Sequence, residues 1–155
     1  MKQKSQISNL KSQIFGFTLI ELLVVISIIG ILAGLGTARY LVAQKHARDT
    51  ERKSDLNQYR VALENYASAY NSLYPKVSGD ITGLCDTGGF ASTYLSGPCL
   101  DDVFASKGTH YIYNSTDGID YVLAATLESN NNYYVVCSNG RSGEASSLNG
   151  STCPL

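Results

Sequence analysis

Seventeen consecutive residues without a charge, Leu22 to Ala38, dominate the chain, and Phe17 to Ile20 extend this apolar run across a single acid, Glu21. About 20 apolar residues is the length at which a helix spans a bilayer. A helix that is apolar on every side must be buried, in lipid or against other helices. Glu21 works against that burial, since an ionised side chain at a bilayer centre costs roughly 2.5–3.5 kcal/mol on insertion scales. A charge placed at that cost needs a partner. What the partner is becomes the functional question.

The flanks differ sharply from the run and from each other. Residues 1–15, "MKQKSQISNLKSQIF", are polar, basic and free of acid, like a cytoplasmic leader. Beyond the run, "RYLVAQKHARDTERKSDLNQY" is polar at once. Over residues 45–55, Lys45/Asp49 and Asp49/Lys53 stand at i,i+4 and Arg48/Glu51 at i,i+3, which predicts a solvated helix. Leu56, Tyr59, Leu63, Tyr66, Tyr70 and Leu73 then recur at steps of three and four, one stripe of a helix. Pro75 ends it, because the residue before a proline is pushed out of the helical region. No proline interrupts residues 17–73, so a single helix is expected, about 85 Å long at 1.5 Å per residue. Its first half is apolar all round. Its second half is amphipathic and suited to lie on a globular domain.

Residues 76–109 read as loop, punctuated by Gly79, Gly83, Gly88, Gly89, Gly97 and Pro98. Three strands are predicted, at 110–113, 119–127 and 133–137, separated by "NSTDG" and "ESNNN". In the middle one Ile119, Tyr121, Leu123, Ala125 and Leu127 share a face, with Asp120, Thr126 and Glu128 on the other. Such half-buried alternation suits a small antiparallel sheet with the amphipathic helix across its inner face, an α+β fold. Residues 138–155, rich in Ser, Gly and Asn, are expected to form a surface loop.

The chain's 155 residues suffice for one domain with one modest core. A formal net charge of −1 makes no case for nucleic acid as an obligatory partner. Without residues 1–16, which hold Lys2, Lys4 and Lys11, 9 basic residues face 13 acidic ones, so the remainder is mildly acidic. The cysteines, Cys85, Cys99, Cys137 and Cys153, form no C-x-x-C motif. An even number in loop-like sequence predicts two disulfides in an oxidising compartment. Three pairings are possible and sequence alone does not choose among them. The sequential one, Cys85–Cys99 and Cys137–Cys153, is expected because each closes a short segment. His46 and His110 are the only histidines and stand apart, so neither a His-based triad nor a metal cluster is expected. Asp101 and Asp102 could bind a cation with nearby carbonyls, a solvated turn being the plainer reading. The 11 tyrosines sit mostly at core and groove positions. Neither an enzymatic activity nor a cofactor is expected.

The order of basic leader, Gly16, Phe17, Thr18, Leu19, Ile20, Glu21 and long apolar helix resembles the class III signal of type IV pilins and type II secretion pseudopilins. "GFTLIELLVVISIIGILA" matches that motif almost without departure. The resemblance implies cleavage after Gly16 by a prepilin peptidase, N-methylation of Phe17, and polymerisation into a filament through the N-terminal helix. It makes Glu21 the assembly acid. The physics agrees: the new amine stays positive after monomethylation, and in an apolar filament core that cation and the Glu21 carboxylate are each costly alone and much less so together. Pairing Glu21 with the Phe17 amine of a neighbouring subunit would fix the axial stagger, as a buried polar residue fixes register in a coiled coil. Gly30, Gly34 and Gly36 each weaken a helix by about 1 kcal/mol relative to Ala, and Gly30 and Gly34 form a G-x-x-x-G pair that permits close helix packing. The family often has a helix-breaking proline in this neighbourhood. Here Ala38 and the glycines stand instead, and the resemblance implies loosening at Ile29–Gly36 during assembly.

On this resemblance the chain divides into a leader (1–16), a transmembrane or filament-core helix (17–38), its amphipathic continuation (39–74) and a pilin-like head (75–155). The implied partners are other copies of the chain, the prepilin peptidase, an inner-membrane assembly platform and, before assembly, membrane lipid. The precursor is expected to be a single-pass inner-membrane protein with its C-terminal domain outside. The mature subunit is expected in an extracellular pilus or a periplasmic pseudopilus. Positive charge alone does not orient it, since Lys2, Lys4 and Lys11 are opposed by Arg39, Lys45, Arg48, Arg52 and Lys53 beyond the run. A pilin would serve adhesion, motility or DNA uptake; a major pseudopilin would serve protein export. "HYIYNSTDGIDYVLAATLE" looks somewhat like the pseudopilin pattern. After Cys137, however, the chain has Glu144 and no Asp for that family's calcium loop, and a loop clipped by Cys137 and Cys153 looks more like a pilin. Two rivals lie outside the family. One is a soluble domain secreted by cleavage after Gly36-Thr37-Ala38, which leaves Glu21 unexplained. The other is a simple single-span protein.

Overall fold

The computed structural model describes residues 16–95 and 97–155, and the expected leader 1–16, apart from Gly16, lies outside them. The chain divides into two compact units, Met1–Arg39 and Tyr40–Leu155. Helix α1 (Leu19–Ala69) begins in the first and ends in the second. In the first unit the large apolar side chains from Phe17 to Leu35 are all exposed, from 47% at Val25 to 85% at Phe17. No single helix among the described residues is long and apolar enough to cross a membrane; Leu19–Leu35 and Arg39–Ala69 pass that test only together.

The helix ends at Ala69, earlier than the proline rule predicts. Asn71 and Ser72 are both left-handed, with φ of 53° and 62°, and Ser72 N–H donates to the Ala67 carbonyl at 2.8 Å. Two successive left-handed residues cannot continue a right-handed helix.

In the second unit α1 packs with β1 (Ser78–Asp80), α2 (Ile81–Asp86), β2 (Ile112–Asn114), β3 (Val122–Thr126), β4 (Tyr133–Cys137) and β5 (Ser142–Ala145). The strands form one antiparallel sheet in the order β1-β2-β3-β4-β5, with Tyr113 opposite Leu123 and Leu123 opposite Val136. The fold is α+β and pilin-like, as expected, but the sheet has five strands rather than three. The expected loop 76–109 also contains α2, a single π-helical turn (Ala91–Leu95) and a 3-10 turn (Ala105–Lys107).

Leu56, Tyr59, Ala62 and Leu63 of α1 meet Tyr113, Leu123, Ala125 and Val136 of the sheet in the main core. Of the predicted helix stripe, Leu56, Tyr59 and Leu63 are fully buried, whereas Tyr70 and Leu73 are 52% and 44% exposed. Strand β3 corrects the expected alternation, because Val122 to Ala125 are all buried. On the far face Val122, Ala124, Val135 and Cys137 pack under Ala145, Leu148, Cys153 and Leu155 of the returning C-terminal segment. Ile119, expected on the inner face, is 64% exposed.

The charged stretch 45–55 is not a uniformly solvated face. Asp49 and Arg52 are buried. The Arg52 guanidinium is bound to Asp102, donates to Asp49 Oδ1 at 2.8 Å and pairs with Glu128 Oε1 at 2.8 Å. Arg48 grips both Glu128 oxygens, at 2.8 and 2.6 Å. Asp49 also accepts the Glu128 and Ser129 amides at 2.8 and 3.0 Å. Together these bonds tie α1 to the β3–β4 turn and to the loop before β2. The Arg48 hydrogen bond holds Glu128 below the usual carboxylate range, burial opposing it and Arg52 assisting. Burial pushes Asp49 up, but the two amides and Arg52 bring it below its ordinary value.

Candidate functional site at the helix N-terminus

The start of α1 is built by two side chains. Thr18 donates to Glu21 Oε2 from its amide at 2.9 Å and from its hydroxyl at 2.6 Å, and Glu21 N–H donates back to Thr18 Oγ1 at 3.3 Å. This is a capping box: a threonine and a glutamate three residues on satisfy amides that a helix N-terminus leaves without partners. The carboxylate also lies at the positive end of the helix dipole, where an anion is favoured. Sequence reasoning missed Thr18's part in this, although T-x-x-E ahead of an apolar run is a readable cap signal.

Around this cap the surface is apolar. Phe17, Ile20, Glu21, Val24 and Val25 line an open notch in which Glu21 is the single charged residue. Farther along, Ser27 donates to the Leu23 carbonyl at 2.7 Å, so its hydroxyl asks nothing of the surroundings. Among the described residues, a Cβ added at Gly16, Gly30 or Gly34 would meet nothing within 4 Å beyond its chain neighbours and the nearby backbone of its own helix. Side-chain packing among the described residues leaves room for a methyl group at each of these positions. Yet Gly30 and Gly34 lie in the helix interior, where each costs about 1 kcal/mol relative to Ala. The surroundings of Gly36 are outside the described side chains.

The other residues singled out in the sequence lie in the second unit. Cys85 is joined to Cys99 and Cys137 to Cys153, each pair with Cα atoms 5.8 Å apart. Asp101 and Asp102 do not converge on a common site: Asp102 binds Arg52, and Asp101 pairs with His110 at 2.7 Å. His46 is exposed on α1. Glu144 is taken up by Lys53 at 3.2 Å and Asn130 at 2.7 Å. Among the described residues no three His, Cys, Asp or Glu side chains are grouped to hold a metal ion.

Residues 11–37 match the family model of the prokaryotic N-terminal methylation motif. No curated protein and no solved structure gives a significant match to the chain.

Proposed function

We propose that this chain, which bears the N-terminal signature of type IV pilins and pseudopilins, is a structural subunit of a pilus-like filament rather than an enzyme. The precursor is anchored in the inner membrane with its C-terminal domain outside. A prepilin peptidase cuts after Gly16, Phe17 is N-methylated, and copies of the subunit are added at an assembly platform through α1. The observation that carries this reading is a matched methylation motif on a helix whose large apolar side chains, Phe17 to Leu35, are left exposed among the described residues. Full burial of such a side chain is worth roughly 1.5–3 kcal/mol, which drives the segment out of water into lipid; from lipid, close packing of helices at small residues takes over.

The capping box gives Glu21 a route between those environments. Residues 17 onward survive the cut, so the Thr18 bonds to Oε2 survive with them. Among the described residues Oε1 has no hydrogen-bond partner, and it is the oxygen left to receive a neighbour's methylated Phe17 amine. Gly30, Gly34 and Gly36 then serve close approach of adjacent helices. The Cys137–Cys153 closure of the C-terminal segment favours a pilin over a pseudopilin.

Mass spectrometry of the mature N-terminus tests the processing: methylated Phe17 is expected. An N-terminus at Arg39 would make the chain a secreted soluble domain, and an uncut chain a simple anchored protein. Electron microscopy of cells with and without the protein tests the filament. Long surface fibres that depend on it are expected; their absence alongside a defect in protein export would identify a pseudopilin.

A further inference from the structure

Asn-Gly occurs twice in the chain, at Asn139–Gly140 and Asn149–Gly150, and the fold treats the two pairs differently. The dipeptide is chemically labile because glycine, with no Cβ, leaves its own amide nitrogen unshielded beside the asparagine carboxamide. In the turn between β4 and β5 both reacting groups are engaged. Gly140 N–H donates to the Cys137 carbonyl at 3.0 Å, and Asn139 Oδ1 accepts the Arg141 amide at 3.0 Å. Strand pairing resumes at once: Cys137 N–H donates to the Arg141 carbonyl at 2.9 Å, and Val136 lies opposite Ser142.

The second pair stands in a tight turn of the C-terminal segment, closed by an isolated bridge between Asn149 and Thr152. Asn149 is exposed. Among the described residues neither its carboxamide nor the Gly150 N–H has a hydrogen-bond partner, and nothing stands within 4 Å of where a Gly150 Cβ would lie. The Gly150 nitrogen reaches Asn149 Cγ only when the turn swings open. Within the turn, one backbone bond, Thr152 N–H to the Asn149 carbonyl at 3.1 Å, and one hydroxyl contact, Ser151 to Thr116 at 3.2 Å, oppose that swing. Segments held by so few bonds open locally at little cost. We infer that Asn149 is a self-modification site, converted to aspartate and isoaspartate by its own neighbouring amide and water. The Gly150 nitrogen gives its proton to hydroxide and attacks Asn149 Cγ. The bond from Cγ to the side-chain nitrogen breaks, ammonia leaves, and a succinimide closes. Water then opens the ring, at the side-chain carbonyl to give aspartate or at the backbone carbonyl to give isoaspartate. Each event adds one negative charge to the head, and isoaspartate also inserts a carbon into the backbone, which shifts the Asn149–Thr152 bridge out of register.

The site belongs to the single subunit, so its test does not depend on filament formation. Full-length protein in detergent micelles is incubated in mildly alkaline buffer made with heavy-oxygen water, so that only deamidation during the incubation is labelled. After reduction of the disulfides, trypsin cuts at Arg141, and the two asparagines report on separate peptides in mass spectrometry. In the folded protein Asn149 is expected to convert roughly ten times faster than Asn139, the difference that one or two hydrogen bonds make. In urea, where neither pair is held, the two rates are expected to converge. The inference is overturned if Asn149 stays unconverted while Asn139 reacts, if the two rates are equal in the folded protein, or if their ratio persists in urea, which would make it a property of the local sequence rather than of the turn.

Discussion

Glu21 holds its own helix start through Thr18, and it is also the carboxylate on which the proposed filament register depends. Substitution separates the two roles. Glutamine can still accept the Thr18 bonds, since capping boxes use Glu or Gln alike, but it carries no charge. Glu21→Gln is therefore expected to keep the helix start yet lose filament assembly as fully as Glu21→Ala, scored by sheared-filament yield with N-terminal processing checked in parallel. Normal filaments from Glu21→Gln would reduce the residue to a cap. Arg52 is the opposite case, a charge enclosed by carboxylates within the head. Removing one partner of a buried ionic group costs about 3–5 kcal/mol, while replacing the whole group by apolar residues is often neutral. Urea unfolding should show that loss for Arg52→Met. Glu21 was legible in the sequence because a lone acid in an apolar run stands out. Asp49 and Arg52 were not, because helical spacing reports neighbours on the same helix and says nothing of partners such as Asp102, 50 residues away.

At the scale of elements, β2 to β4 were legible and β1 and β5 were not. "HYIY", "IDYVLAATL" and "YYVVC" are rich in β-branched and aromatic residues. Strand β1 is "SGD" and β5 is "SGEA", edge strands held chiefly by backbone pairing, for which side-chain patterns carry no signal. The missed β5 also explains the misread face of β3: once 138–155 folds back as strand and cover, Val122 and Ala124 face a second core instead of solvent. Similarly, Pro75 marked where the helix must have ended, but not that Asn71 and Ser72 end it sooner. The bridge from Cys137 to Cys153 closes a segment of sequence separation 16 over that second core. A loop of this length is worth about 3 kcal/mol in the chain-entropy model. The double variant Cys137→Ser/Cys153→Ser should lose about that much in urea unfolding, with amide exchange rising first in β5 and the residues after it.

For the whole molecule, charge sets a pH window of stability. Asp49 and Glu128 have folded values depressed from 3.8 and 4.5, so their contribution is complete above those values and is lost as pH falls through the lower folded ones. The hydrogen bond to Asp101 raises His110 above 6.5. Its contribution is complete below 6.5 and is lost as pH rises through the folded value. Asp55, pushed up by burial, subtracts from the acids' gain. Denaturant midpoints should therefore be highest between about pH 4.5 and 6.5, with His110→Gln flattening the alkaline side and leaving the acid side intact. The strand order has a further consequence, in time. Each strand pairs with its neighbour in the chain, and the two disulfides close separate segments, so no strand has to wait for one made much later. The helix does not share this convenience: Arg48 is made 80 residues before Glu128, the group that receives it. At about 5–20 residues per second, the inner stripe of α1 waits roughly 4–16 s for its sheet, its apolar side chains uncovered by the strands for that interval.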